Sequence, residues 1–588
     1  MQLYTTLSMR PRIQAFFLIV IFLLAAVTLR LAYWQLIRGA ELRAEARQQY
    51  SDRNIEITKR GEIITADNAA LVINRPVYNL GVYLPGFTGE VRALPETISN
   101  LLEYEITDPI IATDSLRAPL YLTELKNAAS ATMSARLAKS NGYVTLAQNI
   151  SETVKSKIHE TGLTGLTFDQ DFTRDYPEAS LSAHVTGFVG RDDGGNPLGY
   201  FGLEGYYNRE LTSRSRIEAQ EKDALGNPLL TGTWELLPGR LGRSLKLHLD
   251  RGVQHAVVSE LAKALERYGA ASGEVVVMDP KTGGILAMAA LPTYDPSRFY
   301  LYDSSLYKNP SIANTYEPGS TFKVLVAAAA LNEGVITETD QCDICAGPVA
   351  IDKYSIKTWN GEYKKDATPE DIIVHSDNTG MVWMQRKLGG DKLVEYIKNF
   401  GFGEKTGIDL QEEVASPLRK KWGEVDYATS SFGQGIAVTS IQMVRAVGAI
   451  ANGGKLMEPH VVDTVLGEDD LPILPKTIRT VISEDAARRT TELMIKAVEY
   501  GEAKWAKPKG YTMAGKTGTA QIAVSGHYDA EKTIASFVGF APAHNPRFVM
   551  LVKLREPQSS QWGSETAAPL WFTIAKRLLL HYNIPPDQ

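Results

Sequence analysis

The sequence predicts an α+β protein in which a sheet assembled from both ends of one domain packs against a helical block inserted between them. Three observations carry this. Leu245-Lys-Leu-His-Leu-Asp250 alternates as a strand and runs into an amphipathic helix from Arg251 to Tyr268. Two β-rich segments, Glu274 to Met278 and Ile285 to Ala290, flank the turn Asp279-Pro-Lys-Thr-Gly-Gly284 and read as a hairpin. After a long helical stretch, strands return between Lys516 and Leu554, and an amphipathic helix from Ala567 to His581 follows. Such layers place a cleft where sheet and helical block meet.

Taken in chain order, the first element is an apolar segment. Ala15 to Leu29 is interrupted only by Thr28, with Arg10 and Arg12 before it and Arg30, Tyr33 and Trp34 after it. That run falls short of the ~20 residues a spanning helix needs. A membrane helix over residues 13–36 therefore recruits Ile13 and Leu31 onward, with Arg30 snorkelling. No small-x-small cleavage site precedes the polar region, which favours a retained single-pass anchor over a removed leader. Residues 1–12 are then a tail, and at 588 residues the chain is long enough for two further domains, with boundaries expected at 37–245 and 246–588. The first of these carries irregular polar sequence, including Arg174-Asp-Tyr-Pro177 and Gly194 to Gly205, and no catalytic constellation. A net charge of −6 and the absence of a long basic run argue against a nucleic-acid partner.

Three motifs in the second domain carry chemistry: Ser320-Thr-Phe-Lys323, Ser376-Asp-Asn378 and Lys516-Thr-Gly518. Pro318-Gly319 reads as a turn and Ser320 to Leu331 as a buried helix closed by Gly334. On a helix, residues three apart share a face, so Ser320 meets Lys323 near an N-terminus that favours developing negative charge. Only a neutral lysine takes a hydroxyl proton, and a base poised near pH 7 needs its pKa lowered by roughly three units from about 10.4. Decoys are separable by context. Ser305-x-x-Lys308 lies in turn-rich sequence stopped by Pro310, Lys281 lies in the hairpin turn, and Lys405 joins a helix to an extended segment. Lys516 alone opens a strand, with Thr517, Gly518 and Thr519 beside it. Cys342 and Cys345 sit in a loop after the nucleophile helix; a small disulfide, free thiols, and a redox or metal pair are the alternatives.

This ordered set resembles the penicillin-recognising serine acyltransferases. Arg60-Gly-Glu-Ile-Ile, Gly202-Leu-Glu-Gly205, Val277-Met-Asp-Pro-Lys-Thr-Gly, Tyr316-Glu-Pro-Gly-Ser-Thr-Phe-Lys, Phe432-Gly-Gln-Gly435 and Ser536-Phe-Val-Gly-Phe-Ala-Pro542 make the resemblance one to class B penicillin-binding proteins. Thr439-Ser440 departs from that pattern, where Thr-Pro or Thr-Ala is more usual. The resemblance implies an elongated β-rich pedestal over 37–245 and a penicillin-binding transpeptidase domain, of the serine β-lactamase-like kind, over 246–588. It implies a D,D-transpeptidase with Ser320 as nucleophile, Lys323 as base, Ser376 as proton relay and Asn378 holding lysine and substrate. Lys516, Thr517, Gly518 and Thr519 then bind the substrate carboxylate, with the Ser320 and Thr519 N–H groups as oxyanion donors. The partners implied are a stem pentapeptide donor, the amine of a second stem peptide, β-lactams as inhibitors, and a polytopic lipid-II glycosyltransferase; no metal or cofactor is called for.

Two further expectations rest on the resemblance. Arg30, Arg38, Arg43 and Arg47 outnumber Arg10 and Arg12, so counting charges would leave the body in the cytoplasm. The implied substrate lies outside the cell, which places the catalytic domain on the extracytoplasmic side of a bacterial inner membrane instead. His375-Ser-Asp-Asn-Thr-Gly-Met-Val resembles the division type more than the elongation type. A D,D-carboxypeptidase, or a β-lactam sensor or scaffold, is the alternative function.

Overall fold

A computed structural model describes residues 9–39, 41–42, 51–56, 58–107, 109–140, 142–221, 234–237, 239–524 and 527–587. Residues 1–8 of the expected tail, and Arg43 and Arg47 of the charge count, lie outside the described residues. The chain divides into two compact units, one of residues 1–58 with 213–241 and one of 59–212 with 242–588.

In the first unit, helix α1 (Met9–Ala32) continues through a wider turn, Tyr33–Ile37. The stretch Pro11–Ile37 is 27 residues long and is the one helix among the described residues with the length and apolarity to cross a membrane. Its apolar side chains point outward all round, with Phe22 73% and Leu29 72% exposed, as expected of a helix built for lipid. Ser51–Glu56, Arg216–Glu221 and Trp234–Leu237 form a separate three-stranded sheet, with the middle segment in the centre.

The second unit begins with β1 (Ile63–Ile64) and β2 (Ala70–Tyr83). Then come α2 (Leu94–Leu101), α3 (Arg117–Leu137), β3 (Tyr143–Ile150), α4 (Glu152–Glu160) and β4 (Leu166–Asp175). The region is β-rich as expected, and among its helices are three longer ones, α2, α3 and α4, that its irregular sequence did not announce. Leu94 and Ile98 of α2, Met133 and Leu137 of α3, and Val154 and Ile158 of α4 recur at helical spacing. They bury against Leu80, Val82, Val144 and Leu146 of the sheet. Three segments quoted above meet here. Glu204, fully buried, accepts from Arg60 Nε at 2.7 Å and from Arg174 Nε at 2.8 Å.

Strand β5 (Ser244–Leu247) pairs parallel with β1 and antiparallel with Val462–Leu466, so residues from both expected domains complete one seven-stranded sheet. Helix α5 (Arg251–Tyr268) follows, capped by Asp250, whose side chain accepts from the Val253 N–H at 2.9 Å. The hairpin is β6 (Ser272–Met278) and β7 (Ile285–Leu291), turned at Gly283 with φ +86°.

The helical block supplies α6 (Lys323–Asn332), α7 (Asn378–Leu388), α8 (Ser440–Ala451) and α9 (Glu484–Tyr500). The chain then returns as β8 (Ala514–Val524), β9 (His527–Ala541) and β10 (Phe548–Arg555), followed by α10 (Ala567–His581). The antiparallel sheet runs β7-β6-β10-β9-β8, joining both ends of the domain as the sequence predicts.

Alternation in β6 explains how that sheet is covered. Val275 and Val277 belong to one core with Leu261 of α5 and Trp571 of α10; Val276 and Met278 belong to the other with Val444 and Val447 of α8. A strand covered on both faces reads as an unbroken apolar run. The unusual Ser440 has a reason here: its hydroxyl donates to buried Glu274 at 2.7 Å, and Glu274 also pairs with Lys553 at 2.7 Å. Cys342 and Cys345 are joined as a disulfide, both buried.

Candidate active site

Ser320 sits in a tight 3₁₀ turn, Gly319–Phe322, and α6 proper begins at Lys323, three residues later than the sequence reading. The tightening has local causes. Gly319 takes φ +55° and donates its N–H to Gly433 O at 3.1 Å, while Thr321 Oγ1 donates to Pro318 O at 2.7 Å. In 3₁₀ geometry residues i and i+3 eclipse, so Ser320 and Lys323 still align. Gly433, from Phe432-Gly-Gln-Gly435, approaches so closely that a Cβ there would lie 2.2 Å from Gly319 O. Among the described residues, Ser320 Oγ has no hydrogen-bond partner.

Lys323 is completely buried. Its Nζ donates to Ser376 O at 2.6 Å and to Asn378 Oδ1 at 2.8 Å, and lies 3.3 Å from Ser376 Oγ. Burial pushes its pKa well below the ordinary lysine value, the nearby Lys516 charge pushes the same way, and Asp377 and Glu502 oppose both. A neutral amine has two N–H bonds and one lone pair. The two oxygens occupy the N–H bonds, which leaves the lone pair to accept a proton.

Ser376 follows the helix Pro369–Val374 and takes φ +56°, a strained choice for a residue with a Cβ. Asp377 caps α7 by accepting from Thr379 N at 2.7 Å and from Thr379 Oγ1 at 2.7 Å. Asn378 is fixed from its other end, Nδ2 donating to Lys357 O at 3.0 Å.

The third motif lies on edge strand β8. Lys516 is only 3% exposed; burial lowers its pKa to about 8, and the Glu502 charge partly restores it. Its Nζ donates to Thr517 Oγ1 at 3.1 Å, and Thr519 Oγ1 accepts from Gly563 N at 3.0 Å. A Cβ on Gly518 would lie 2.7 Å from Thr321 Cγ2 and 2.6 Å from Ser536 Oγ, so glycine lets this strand abut the turn carrying Ser320.

A cavity of about 310 Å³ opens between these elements, and Ser320, Ser376, Asn378, Thr517 and Thr519 line it. Lys323 and Lys516 lie behind its wall. All the predicted residues thus converge, whereas Lys281 bonds Asn545 at 2.7 Å and Lys308 faces Glu412 at 3.6 Å. Sequence reasoning missed Glu502, Gln434, and Trp359 with Trp562, whose rings lie 5.2 Å apart at the cavity rim. Each stands alone in a loop, with no periodicity to mark it. Phe432-Gly-Gln-Gly435 was the one available signal for Gln434.

Comparison with known proteins agrees with this geometry. Residues 273–579 match the penicillin binding protein transpeptidase domain, and residues 56–247 match the penicillin-binding protein dimerisation domain. Stage V sporulation protein D of Bacillus subtilis is 32% identical over 99% of this chain and 87% of its own length. Peptidoglycan D,D-transpeptidase FtsI of Escherichia coli is 29% identical over 76% of this chain and 73% of its own. Among solved structures, penicillin binding protein 2X of Streptococcus thermophilus shares the fold at a TM-score of 0.72, with 23% identity, covering 91% of this chain and 80% of the other. With a transpeptidase domain matched over more than half its length behind a dimerisation domain, the chain belongs to the penicillin-binding proteins of the class B type.

Proposed function

We propose that this chain is a peptidoglycan D,D-transpeptidase acting through a Ser320 acyl-enzyme and blocked covalently by β-lactams. The observation carrying the proposal is the hydrogen-bonded cluster of Lys323, Ser376 and Asn378 around the cavity that Ser320 lines. Ser320 Oγ attacks the carbonyl between the two terminal D-alanines of a stem pentapeptide, and neutral Lys323 takes its proton. Ser376 Oγ relays that proton to the departing D-alanine amine as the C–N bond breaks. The amine of a second stem peptide then attacks the ester, forms the cross-link and frees Ser320. Lys516, with Thr517 and Thr519, holds the terminal carboxylate, and Gly518 admits the substrate backbone. The backbone N–H groups of Ser320 and Thr519 stabilise the oxyanion, each worth about 3–4 kcal/mol in comparable sites.

Labelling with a fluorescent penicillin tests this. Ser320→Ala should abolish the adduct, and stoichiometric labelling of that variant would sink the nucleophile assignment. With a second stem peptide at saturation, aminolysis should exceed hydrolysis; dominance of water would make the protein a carboxypeptidase.

The finer proposals are a division-type role, a catalytic domain outside the inner membrane, and a polytopic lipid-II glycosyltransferase partner bound through the anchor and the dimerisation domain. The division-type role rests on His375-Ser-Asp-Asn-Thr-Gly-Met-Val. Replacing residues 13–36 by an unrelated span should break the partnership and leave penicillin binding intact.

A further inference from the structure

Glu502 is the one charged side chain among those lining the active-site cavity; the rest are glycine, serine, threonine, asparagine, glutamine, phenylalanine and tryptophan. It is exposed, and no ion pair or hydrogen bond engages it among the described residues. Its position is built by the fold. Helix α9 ends at Tyr500, and Gly501 abuts the corner before Ser376 so closely that a Cβ would lie 3.2 Å from Val374 O. The next residue is thereby delivered to the wall that Ser376 and Asn378 share. Its charge reaches both buried lysines, since it raises the pKa of each.

A free carboxylate is a poor neighbour for the donor peptide, whose own terminus is anionic. The proposed reaction brings one cation to this cavity, the acceptor amine, which is an ammonium at neutral pH. We infer that Glu502 is the subsite for the acceptor's primary ammonium, holding it beside Ser376 while Ser320 carries the acyl group. This rests on the acyl-enzyme reading above. The captured ammonium loses one proton to solvent to become the nucleophile. Its nitrogen bonds to the ester carbon, the C–O bond to Ser320 breaks, and the second proton passes to Ser320 Oγ, so charge and atoms balance. Glu502 takes no part in bond making; it sets which nucleophile arrives.

The test uses the full chain in detergent, an N-acyl-D-alanyl thioester as donor, and two competing nucleophiles, glycinamide as the cation and methanol as the neutral one. In Glu502→Gln the glycinamide concentration giving half-maximal aminolysis should rise about threefold, the scale of one exposed ion pair, and further in Glu502→Lys. Added salt should raise that concentration in the native protein and have little effect in Glu502→Gln. Partition to methanol should not move. An unchanged amine dependence, or an equal loss for methanol, would overturn the inference and leave Glu502 as a counter-charge for the two lysines. Formation of the penicillin adduct at Ser320, read by mass, shows that each variant is folded. Failure of the native protein to form that adduct would sink the acyl-enzyme reading instead, so the two failures are distinguishable.

Discussion

Lys323 Nζ donates to the backbone carbonyl of Ser376 at 2.6 Å, and the residue offering that carbonyl is held in the left-handed backbone region at φ +56°. A strained corner thus aims one acceptor at the buried amine, and Asn378 Oδ1 supplies a second at 2.8 Å. Strain at this corner and the fixed position of the Lys323 amine are two consequences of one geometry.

Removing the second acceptor should cost acylation more than folding. Asn378→Ala leaves Lys323 free to rotate away from Ser320, and losing one hydrogen bond to this group corresponds to roughly 10- to 100-fold in rate. The second-order rate constant of penicillin acylation measures it; a loss under twofold would mean that Ser376 O alone holds the lysine.

Strain at Ser376 can be separated from its hydroxyl. Ser376→Ala and Ser376→Gly both delete Oγ, but only glycine accepts positive φ without cost. The glycine variant should be the more stable of the two by about 1 kcal/mol. Denaturant midpoints compare them, and equal midpoints would show that the corner relaxes.

The two lysines predict a bell-shaped pH profile with assignable limbs. In the proposed reaction Lys323 must be neutral, so acylation falls as pH drops through its depressed pKa. Lys516 must be charged, so acylation falls again as pH rises through about 8. Lys516→Arg keeps its charge throughout this range, and should move the alkaline limb upward by more than one unit while lowering the maximum rate. An unmoved limb would assign that ionisation to another group.

Glu204 is fully buried between Arg60 and Arg174, with its carboxylate oxygens facing both guanidinium groups. Glu204→Gln leaves two cations without their counter-charge and should destabilise the protein by about 3–5 kcal/mol in chemical denaturation. A loss below 1 kcal/mol would mean that water reaches the arginines.

What was legible in the sequence follows from the range of the physics involved. Alternation and helical spacing are local, so β6, β7, α5 and α10 could be placed within a residue or two. The motif residues were separable from their decoys because a turn, a helix start and a strand start leave local marks. Gly433 was quoted only as part of a resemblance, because its function depends on Gly319, more than a hundred positions earlier, and no local pattern encodes that approach. Glu502 and the pair Trp359 and Trp562 were invisible for the same reason. The three longer pedestal helices were missed because polar residues dilute their apolar stripes, leaving two buried apolar positions at helical spacing in each.

Strand order in the two larger sheets has a consequence for biosynthesis. Strand β6 takes its second neighbour from β10, and β5 takes one of its two from Val462–Leu466. A chain made from its N-terminus therefore leaves the β5 edge open until Leu466 has emerged, and the β6 edge until Arg555, close to its end. No incomplete chain can hold β8, the strand of Lys516, in its finished sheet, and a stalled one presents an open edge to whatever chaperone or protease meets it.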